Sequence, residues 1–251
     1  ATLFTVELED LDDTDPEVYV ARHADRVMEY LNKQPQQLRD IISKHARDTA
    51  EGMARWQEQG PIITTEEEMD DYMHQVAGRV GYLDTDVFSW YSPAVREKRE
   101  MLTPLGREFG LGLQTVNIIR GLRKDYDRGW VFVPLTFLEA KDLSPESFFD
   151  PATRQQALAV IDLLIVKAKR HLDNGLTYIS LLPRSERHIR LSCVWPLLFA
   201  VKTLALSRNN HSVLESETKM TRKQVKNIVL ISSGLFWSNT ALRSYYRYLE
   251  R

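Results

Sequence analysis

Polar residues line up on one face of a predicted helix in the segment GLGLQTVNIIRGLRKDYDRG, residues 110–129. At about 100° per residue, a stripe of roughly 80° holds Gln114, Asn117, Gly121 and Asp125. Two amides, a gap and a carboxylate can hydrogen-bond a polar ligand and hold a cation. A bound cation would also offset the unfavourable placement of an acid near a helix C-terminus. Alternatively, the amides bond neighbouring helices and the acids only charge the helix end.

A second candidate site is the acidic segment LEDLDDTD at residues 8–15. On a helix, Glu9 and Asp13 share one side and Asp12 is adjacent to it, so the three carboxylates would converge. Crowded carboxylates repel one another, and Mg²⁺ is usually held by one or two carboxylates together with the phosphates of a substrate. The segment therefore predicts magnesium ligands. An acidic helix start or a solvated turn explains the same pattern, and spacing alone favours that alternative.

Small residues form the third pattern, in DDYMHQVAGRVGY at residues 70–82. Ala77, Gly78 and Gly81 permit either close helix packing or space for a ligand, and glycines inside a helix cost roughly 1 kcal/mol each relative to alanine. Tyr72 could direct its phenol into such a space, or it could be ordinary core. His74 is interpreted as a packing or surface residue, because no second histidine lies at a metal-ligand spacing.

Composition excludes several classes of protein. The chain has 251 residues, with 33 Lys and Arg against 35 Asp and Glu, which argues against a nucleic-acid partner. The single cysteine, Cys193, allows no internal disulfide and favours a reducing compartment, so the cytoplasm is the expected location. No signal peptide or transmembrane segment is predicted, because the most apolar run, residues 194–206, contains Lys202 and fits a buried helix.

Almost every long segment of the chain has helical periodicity. Helices, some of them broken, are predicted at 17–32, 36–57, 66–90, 93–124, 151–182, 185–207 and 220–249. The one strand-like run, WVFVPLTF at 130–137, contains Pro134 and is therefore expected to be a loop or an edge. The GLG at 110–112 follows no strand, which argues against a dinucleotide loop. The prediction is a single all-α domain over 1–251, with long helices around a central cavity.

Four segments together resemble the squalene/phytoene synthase family of head-to-head prenyl transferases. In chain order they are DDYMHQVAGRVG, LGLQTVNIIRGLRKDYDRG, RLSCVWPLLFAVKTL and KMTR. The similarity extends from about residue 35 to the C-terminus and is closer to the squalene synthase side of the family. It implies an isoprenoid-synthase-type helical bundle in which two aspartate-rich helices hold Mg²⁺ at the mouth of a central cavity.

The resemblance also implies a reaction. Two farnesyl diphosphates would be the substrates: one ionises to an allylic cation, and the second attacks it to give presqualene diphosphate. Squalene synthases then rearrange and reduce this product with NADPH, so NADPH is a further candidate cofactor. Mg²⁺ and basic side chains would neutralise the leaving diphosphate. Peripheral contact with a membrane is an expectation for release of an apolar product.

Site residues follow from the resemblance position by position. Tyr72 matches the catalytic tyrosine of the family, and Arg120 belongs with it as a catalytic residue. Gln114, Asn117 and Tyr178 match substrate-binding positions. The metal ligands implied are Glu9, Asp12, Asp13 and Asp125.

Departures from the family pattern support a different hypothesis. Gly121 stands where the second motif has an aspartate, Lys124 replaces a glutamate, and Glu9 replaces the first aspartate of the first motif. Ser192 replaces an aromatic residue, which bears on the reductive step, and the helix that normally precedes the first motif is expected to be missing. The alternative is therefore a catalytically weakened member that binds an isoprenoid or a protein partner.

Overall fold

The structure is a computed structural model that describes residues 16–251. These residues are all-α, as predicted, and they form two compact units divided between Lys44 and His45. The expectation of a single domain over 1–251 stays a prediction. In chain order the helices are α1 Pro16–Arg22, α2 Ala24–Asn32, α3 Gln36–Gln59, α4 Glu66–Met73, α5 Arg79–Tyr91, α6 Pro93–Arg96, α7 Arg99–Asp127, α8 Leu135–Glu139, α9 Arg154–Leu181, α10 Arg187–Ser207, α11 Arg222–Leu235 and α12 Asn239–Leu249.

The first unit holds α1, α2 and the first residues of α3. The ring of Tyr19 stacks on His23 with centroids 4.1 Å apart, and Lys33 pairs with Glu29 across one helical turn. Helix α2 has no buried residue. The predicted helix at 17–32 is therefore broken, with the break at His23.

The core of the second unit is built around α7, which packs along α5 and α9. A five-residue π-helical turn, His74–Gly78, joins α4 to α5. Helices α5 and α7 touch backbone to backbone, because a Cβ placed on Gly81 would lie 2.0 Å from the Gly106 carbonyl oxygen. One turn away, a Cβ on Gly110 would lie 2.2 Å from the Ala77 oxygen. The small-residue pattern thus serves close helix packing, which offsets the propensity cost of the glycines.

The segment around Pro134 is a loop, as predicted, and it runs beside the residues that follow α3. Val131 donates its N–H to the Pro61 oxygen at 2.9 Å, and Ile63 donates to the Val131 oxygen at 3.4 Å. These bonds make one isolated parallel bridge between Ile62 and Val131, and α8 begins directly after the proline. Two loops are thereby fixed against each other at the end of α7.

Helix α10 contains the apolar run that the sequence assigns to the core. Within the described residues it is the single helix whose length and composition would allow it to cross a membrane, and 61% of its most apolar stretch is buried. Arg190, in its first turn, is completely buried and donates to the carbonyl oxygens of Ile179 and Leu182 at 2.6 and 2.7 Å. This arginine ties the start of α10 to the end of α9.

Candidate functional site

A cavity of about 230 Å³ lies between α5, α7, α9 and α10. Most of its wall is apolar or small, with a few polar side chains among them. Its lining residues include Ala77, Val80, Gly81, Phe109, Gly110, Leu113 and Pro196, and the polar ones are Asp84, Gln114, Asn117, Tyr178, Ser192 and Cys193. A cavity of this kind suits an apolar ligand with a few fixed polar contacts.

The three predicted substrate-binding residues all line this cavity. Asn117 donates its amide N–H to the Gln114 oxygen at 3.4 Å, so the two amides form one polar edge. Tyr178 is 2% exposed, and its hydroxyl shares a hydrogen bond of 3.0 Å with Thr85. Burial raises the pKa of Tyr178 above its usual range, so the phenol stays neutral. The structure therefore brings together residues that are 64 positions apart in the chain.

Tyr72 lies outside the lining of the cavity, in an aromatic cluster. Its ring stacks on Phe132 with centroids 4.6 Å apart and meets Trp56 edge-on at 5.6 Å. Burial, helped by the negative charge of Asp125, raises the pKa of Tyr72 to about 12. The tyrosine is thus a neutral proton donor close to the carboxylate at the end of α7.

Asp125 sits in the last turn of α7, beside the loop that carries Trp130 and Phe132. Burial raises the pKa of its carboxyl, against the opposing charges of Arg128 and Lys124. A Cβ placed on Gly121 would lie 3.1 Å from Oδ2 of Asp125. The gap in the polar stripe is therefore the place where the carboxylate of Asp125 folds back along the helix.

The predicted metal site is described only at Asp125, because Glu9, Asp12 and Asp13 lie outside the described residues. Within residues 16–251 no group of three or more His, Cys, Asp or Glu side chains is placed to hold a metal ion. One half-buried carboxylate still fits a Mg²⁺ ion whose remaining ligands are phosphate oxygens and water. Asp125 can therefore be part of a magnesium diphosphate site, and the other ligands stay predictions.

Arg120 forms an ion pair that the sequence did not indicate. Its Nε lies 3.0 Å from Oε1 of Glu217, and Lys219 reaches the other oxygen of the same carboxylate at 2.7 Å. The connection between α10 and α11 therefore holds the guanidinium, which is 45% exposed, at the end of the polar stripe. A diphosphate bound here would compete with Glu217 for both cations.

Three lining residues were missed as candidates by the site prediction: Asp84, Phe109 and Cys193. Asp84 lies one turn beyond Val80 and Gly81 on the same helix face, and that spacing could have revealed it. Burial raises the pKa of Cys193 to about 12, so its thiol is not a nucleophile at neutral pH. Cys193 is thus part of the cavity wall.

The GLG segment is not a nucleotide loop. Gly110 packs against Ala77, and a Cβ on Gly112 would lie 2.9 Å from the side chain of Leu172. Both glycines are buried in the middle of α7. This placement agrees with the argument against a dinucleotide site there.

Comparison with known proteins agrees with this arrangement. The family model for squalene/phytoene synthase matches residues 5–224. Squalene synthase of Schizosaccharomyces pombe is 29% identical over 83% of this chain and 46% of its own length, and that of Homo sapiens is 28% identical over 78% and 46%. The chain thus spans about half the length of these relatives.

Solved structures show the same fold. The complex of TcSQS with the ligand BPH1237 matches 94% of this chain and 68% of its own, with a TM-score of 0.81 and 23% identity. The complex of TcSQS with E5700 matches with a TM-score of 0.78 at the same identity. Together with the family match over residues 5–224, these findings show that the chain belongs to the squalene/phytoene synthase family, on the squalene synthase side.

Proposed function

We propose that this chain carries out the Mg²⁺-dependent head-to-head condensation of two farnesyl diphosphates to presqualene diphosphate, and that squalene is its final product. The observation that supports this most is the succession of polar side chains along one helix. Gln114 and Asn117 line the cavity, while Arg120 and Asp125 continue the same stretch of α7 beyond it. One helix therefore offers a polar head site and an apolar chain site in sequence.

The residues present can perform most of the binding and positioning. Gln114 and Asn117 can donate to phosphate oxygens, and Arg120 supplies a positive charge once Glu217 is displaced. Mg²⁺ bound with Asp125 would neutralise the leaving diphosphate. The apolar wall keeps water away from a carbocation. Tyr72, neutral and close to Asp125, can hold a proton at its hydroxyl during the condensation.

Incubation with farnesyl diphosphate and Mg²⁺, with and without NADPH, tests the proposal by product identification. Squalene formed only with NADPH supports the full reaction, and presqualene diphosphate alone supports the first step. If no product forms, the proposed activity is contradicted. That result would support the alternative, a family member that binds an isoprenoid without turnover. The Arg120–Glu217 ion pair and the glycine at position 121 are the observations that favour this second function.

The metal site can be tested separately with Asp125→Asn. Mg²⁺ together with inorganic diphosphate should raise the melting temperature of the parent protein by linkage. We expect Asp125→Asn to lose most of this shift. Asp127→Asn is the matched control, because Asp127 is 52% exposed and pairs with Arg123 on the same turn. Equal shifts in all three proteins would contradict a role for Asp125 in metal binding.

Gly121→Asp tests whether the helix face can bind more metal. Its carboxylate would lie beside Asp125, where two acids repel each other until a cation joins them. We expect tighter Mg²⁺ binding by titration calorimetry in the presence of diphosphate. Unchanged or weaker Mg²⁺ binding would show that the glycine is needed for the position of Asp125.

A further inference from the structure

Asp84 places a carboxylate in the wall of an otherwise largely apolar cavity. It lies on α5, as do Val80 and Gly81, and these three residues line the cavity together with Ala77 of the preceding π-helical turn. Asp84 keeps an exposed surface, although protein atoms surround it closely. Because Asp84 lines the cavity, part of its surface forms the cavity wall.

The carboxylate of Asp84 has no hydrogen bond or ion pair with any residue between 16 and 251. Asp86, two positions further on, is fully paired: His45 lies 2.9 Å from one oxygen and Arg99 lies 2.7 Å from the other. Burial raises the pKa of Asp84 to about 6, so the group is still mainly ionised at neutral pH. Among the described residues it has no counter-charge, so a ligand that carries positive charge can supply one.

The packing of the helices gives the cavity two different ends. Gly81 meets Gly106 and Ala77 meets Gly110, so α5 and α7 run antiparallel. Asp84 therefore lies towards one end, and Asn117 lies towards the other. With a rise of 1.5 Å per residue, their backbones are separated by roughly 20 Å along the helices.

Electrostatics then fixes the direction of a bound prenyl diphosphate. The diphosphate is repelled by Asp84 and is attracted to the amides and, beyond them on the same helix, to Arg120 and Lys124. The acids at that end, Asp125 and Glu217, would be offset by the Mg²⁺ of the proposed function. The hydrocarbon chain consequently extends towards Asp84. A carboxylate that faces a hydrocarbon can stabilise positive charge that develops on that hydrocarbon.

We propose that Asp84 is a specificity-determining residue of this cavity: it selects isoprenoid chains that carry positive charge and keeps the diphosphate at the opposite end. For the reaction this inference rests on the proposed function, whose carbocation is such a chain. For binding it rests only on the cavity and its unpaired carboxylate. The two parts can therefore be tested independently.

The binding test compares two probes with the same chain, farnesyl trimethylammonium and farnesol, below their aggregation concentrations. Calorimetry should show that the parent protein binds the ammonium at least ten-fold more tightly than the alcohol. Asp84→Asn keeps the shape and removes the charge, so we expect the preference to fall close to one. Asp84→Leu is the second variant and should favour the alcohol. Absence of the preference in the parent, or its persistence in Asp84→Asn, would overturn the proposal.

Asp162→Asn is the matched control, because Asp162 is an exposed carboxylate on α9 that does not line the cavity. It should keep the ammonium preference of the parent. Circular dichroism of each variant establishes that the fold is intact before binding is measured.

Turnover distinguishes this inference from the proposed function. If farnesyl diphosphate is converted, the ratio of products should change in Asp84→Asn and stay the same in Asp162→Asn, and an unchanged ratio in both would overturn the catalytic part. If the parent converts nothing but still prefers the ammonium probe, the proposed function fails and the selectivity of Asp84 stands.

Discussion

Two places inside residues 45–251 contain charged side chains that are satisfied in opposite ways. Between α4, α7 and α9, Lys167 pairs with Glu66 at 2.8 Å and with Asp70 at 2.5 Å, while His171 contacts Glu108 at 2.7 Å. In the cavity, Asp84 has no such partner among the described residues. Paired charges thus hold the helices together, whereas an unpaired carboxylate that lines a cavity is free to meet a ligand.

The pKa shifts run in opposite directions as well. A hydrogen bond from His171 lowers the pKa of Glu108 against the effect of burial. Burial alone would raise the pKa of Glu66, but Lys167 and Arg170 lower it overall. At Asp84 burial acts without opposition and raises the pKa to about 6. Ionisation of Glu66 and Glu108 therefore stabilises the folded protein, whereas ionisation of Asp84 destabilises it.

The largest effect is expected from Lys167→Met in the paired cluster. Removing the ammonium leaves Asp70 without its nearest cation and leaves Glu66 with Arg170 alone, and breaking a buried ion pair from one side costs about 3 kcal/mol. Urea denaturation should show this loss in the free energy of unfolding. Lys202→Met is the control, because Lys202 has no ion pair within residues 16–251. Similar losses in the two variants would contradict the importance of the pairing.

A smaller loss is expected from Gly81→Ala in the cavity wall. The added methyl group would lie 2.0 Å from a backbone oxygen of α7, so the helices must separate, at a cost of about 2 kcal/mol. Gly234→Ala is the control, because nothing lies within 4 Å of a Cβ there and a helical alanine gains up to about 1 kcal/mol. The same urea measurements should show a loss of stability in Gly81→Ala and a gain in Gly234→Ala. If Gly81→Ala is as stable as the parent, α5 and α7 can move apart at little cost in free energy.

Tyr72→Phe should affect the chemistry more than the fold. The ring keeps its contacts with Phe132 and Trp56, so the free energy of unfolding should change by about 1 kcal/mol at most. The rate of condensation should fall about ten-fold or more, as for the removal of a proton-transfer group. Tyr82→Phe, at a ring that packs on His74, should leave the rate unchanged. Full activity in Tyr72→Phe would assign Tyr72 to the core.

Local pattern was enough to predict the helices and the loop at Pro134. Periodicity depends on burial along one face, and that information is contained in neighbouring residues. The sequence predicted that some helices would be broken but did not place the breaks, which lie at His23, between α6 and α7, and between α11 and α12. It also missed the short helix α8 and the π-helical turn at His74–Gly78, which has no reliable residue signal. The stripe of amides was recognised for the same reason: its members share a single helix.

Contacts between distant segments could not be predicted in this way. Whether Gly81 served packing or a ligand depended on Gly106, and the role of Arg120 depended on Glu217, almost a hundred residues away. The sequence analysis did not single out Asp84, because it becomes a cavity residue only when α9 and α10 bring Tyr178 and Cys193 to the same cavity. Tertiary packing decides which polar groups keep a partner.

The smallest effect, and the sharpest test of the comparison, is the pH dependence of Asp84→Asn. Because the pKa of Asp84 in the folded protein lies above the usual aspartate value of 3.8, the folded state binds a proton more readily than the unfolded state. The contribution of this group is therefore fully present below about pH 4 and is lost as the pH rises through about 6. The contributions of Glu66 and Glu108 depend on pH in the opposite way, because the pKa of each is lowered in the folded protein. Each carboxylate stabilises the fold at a pH above its unfolded pKa, and this stabilisation is lost as the solution is acidified.

Subtracting parent from variant cancels the two glutamates, which both proteins share, and leaves Asp84 alone. Asp84→Asn should be more stable than the parent at pH 7.5 by about 1 kcal/mol, a value reduced from the full shift because the carboxylate is partly open to water. The difference should shrink below pH 6 and vanish near pH 4. Urea denaturation at four pH values between 4 and 7.5 measures it. A difference that is constant with pH would mean that Asp84 has an ordinary, solvated carboxylate. The contrast between Asp84 and the ion pairs of α9 would then be lost.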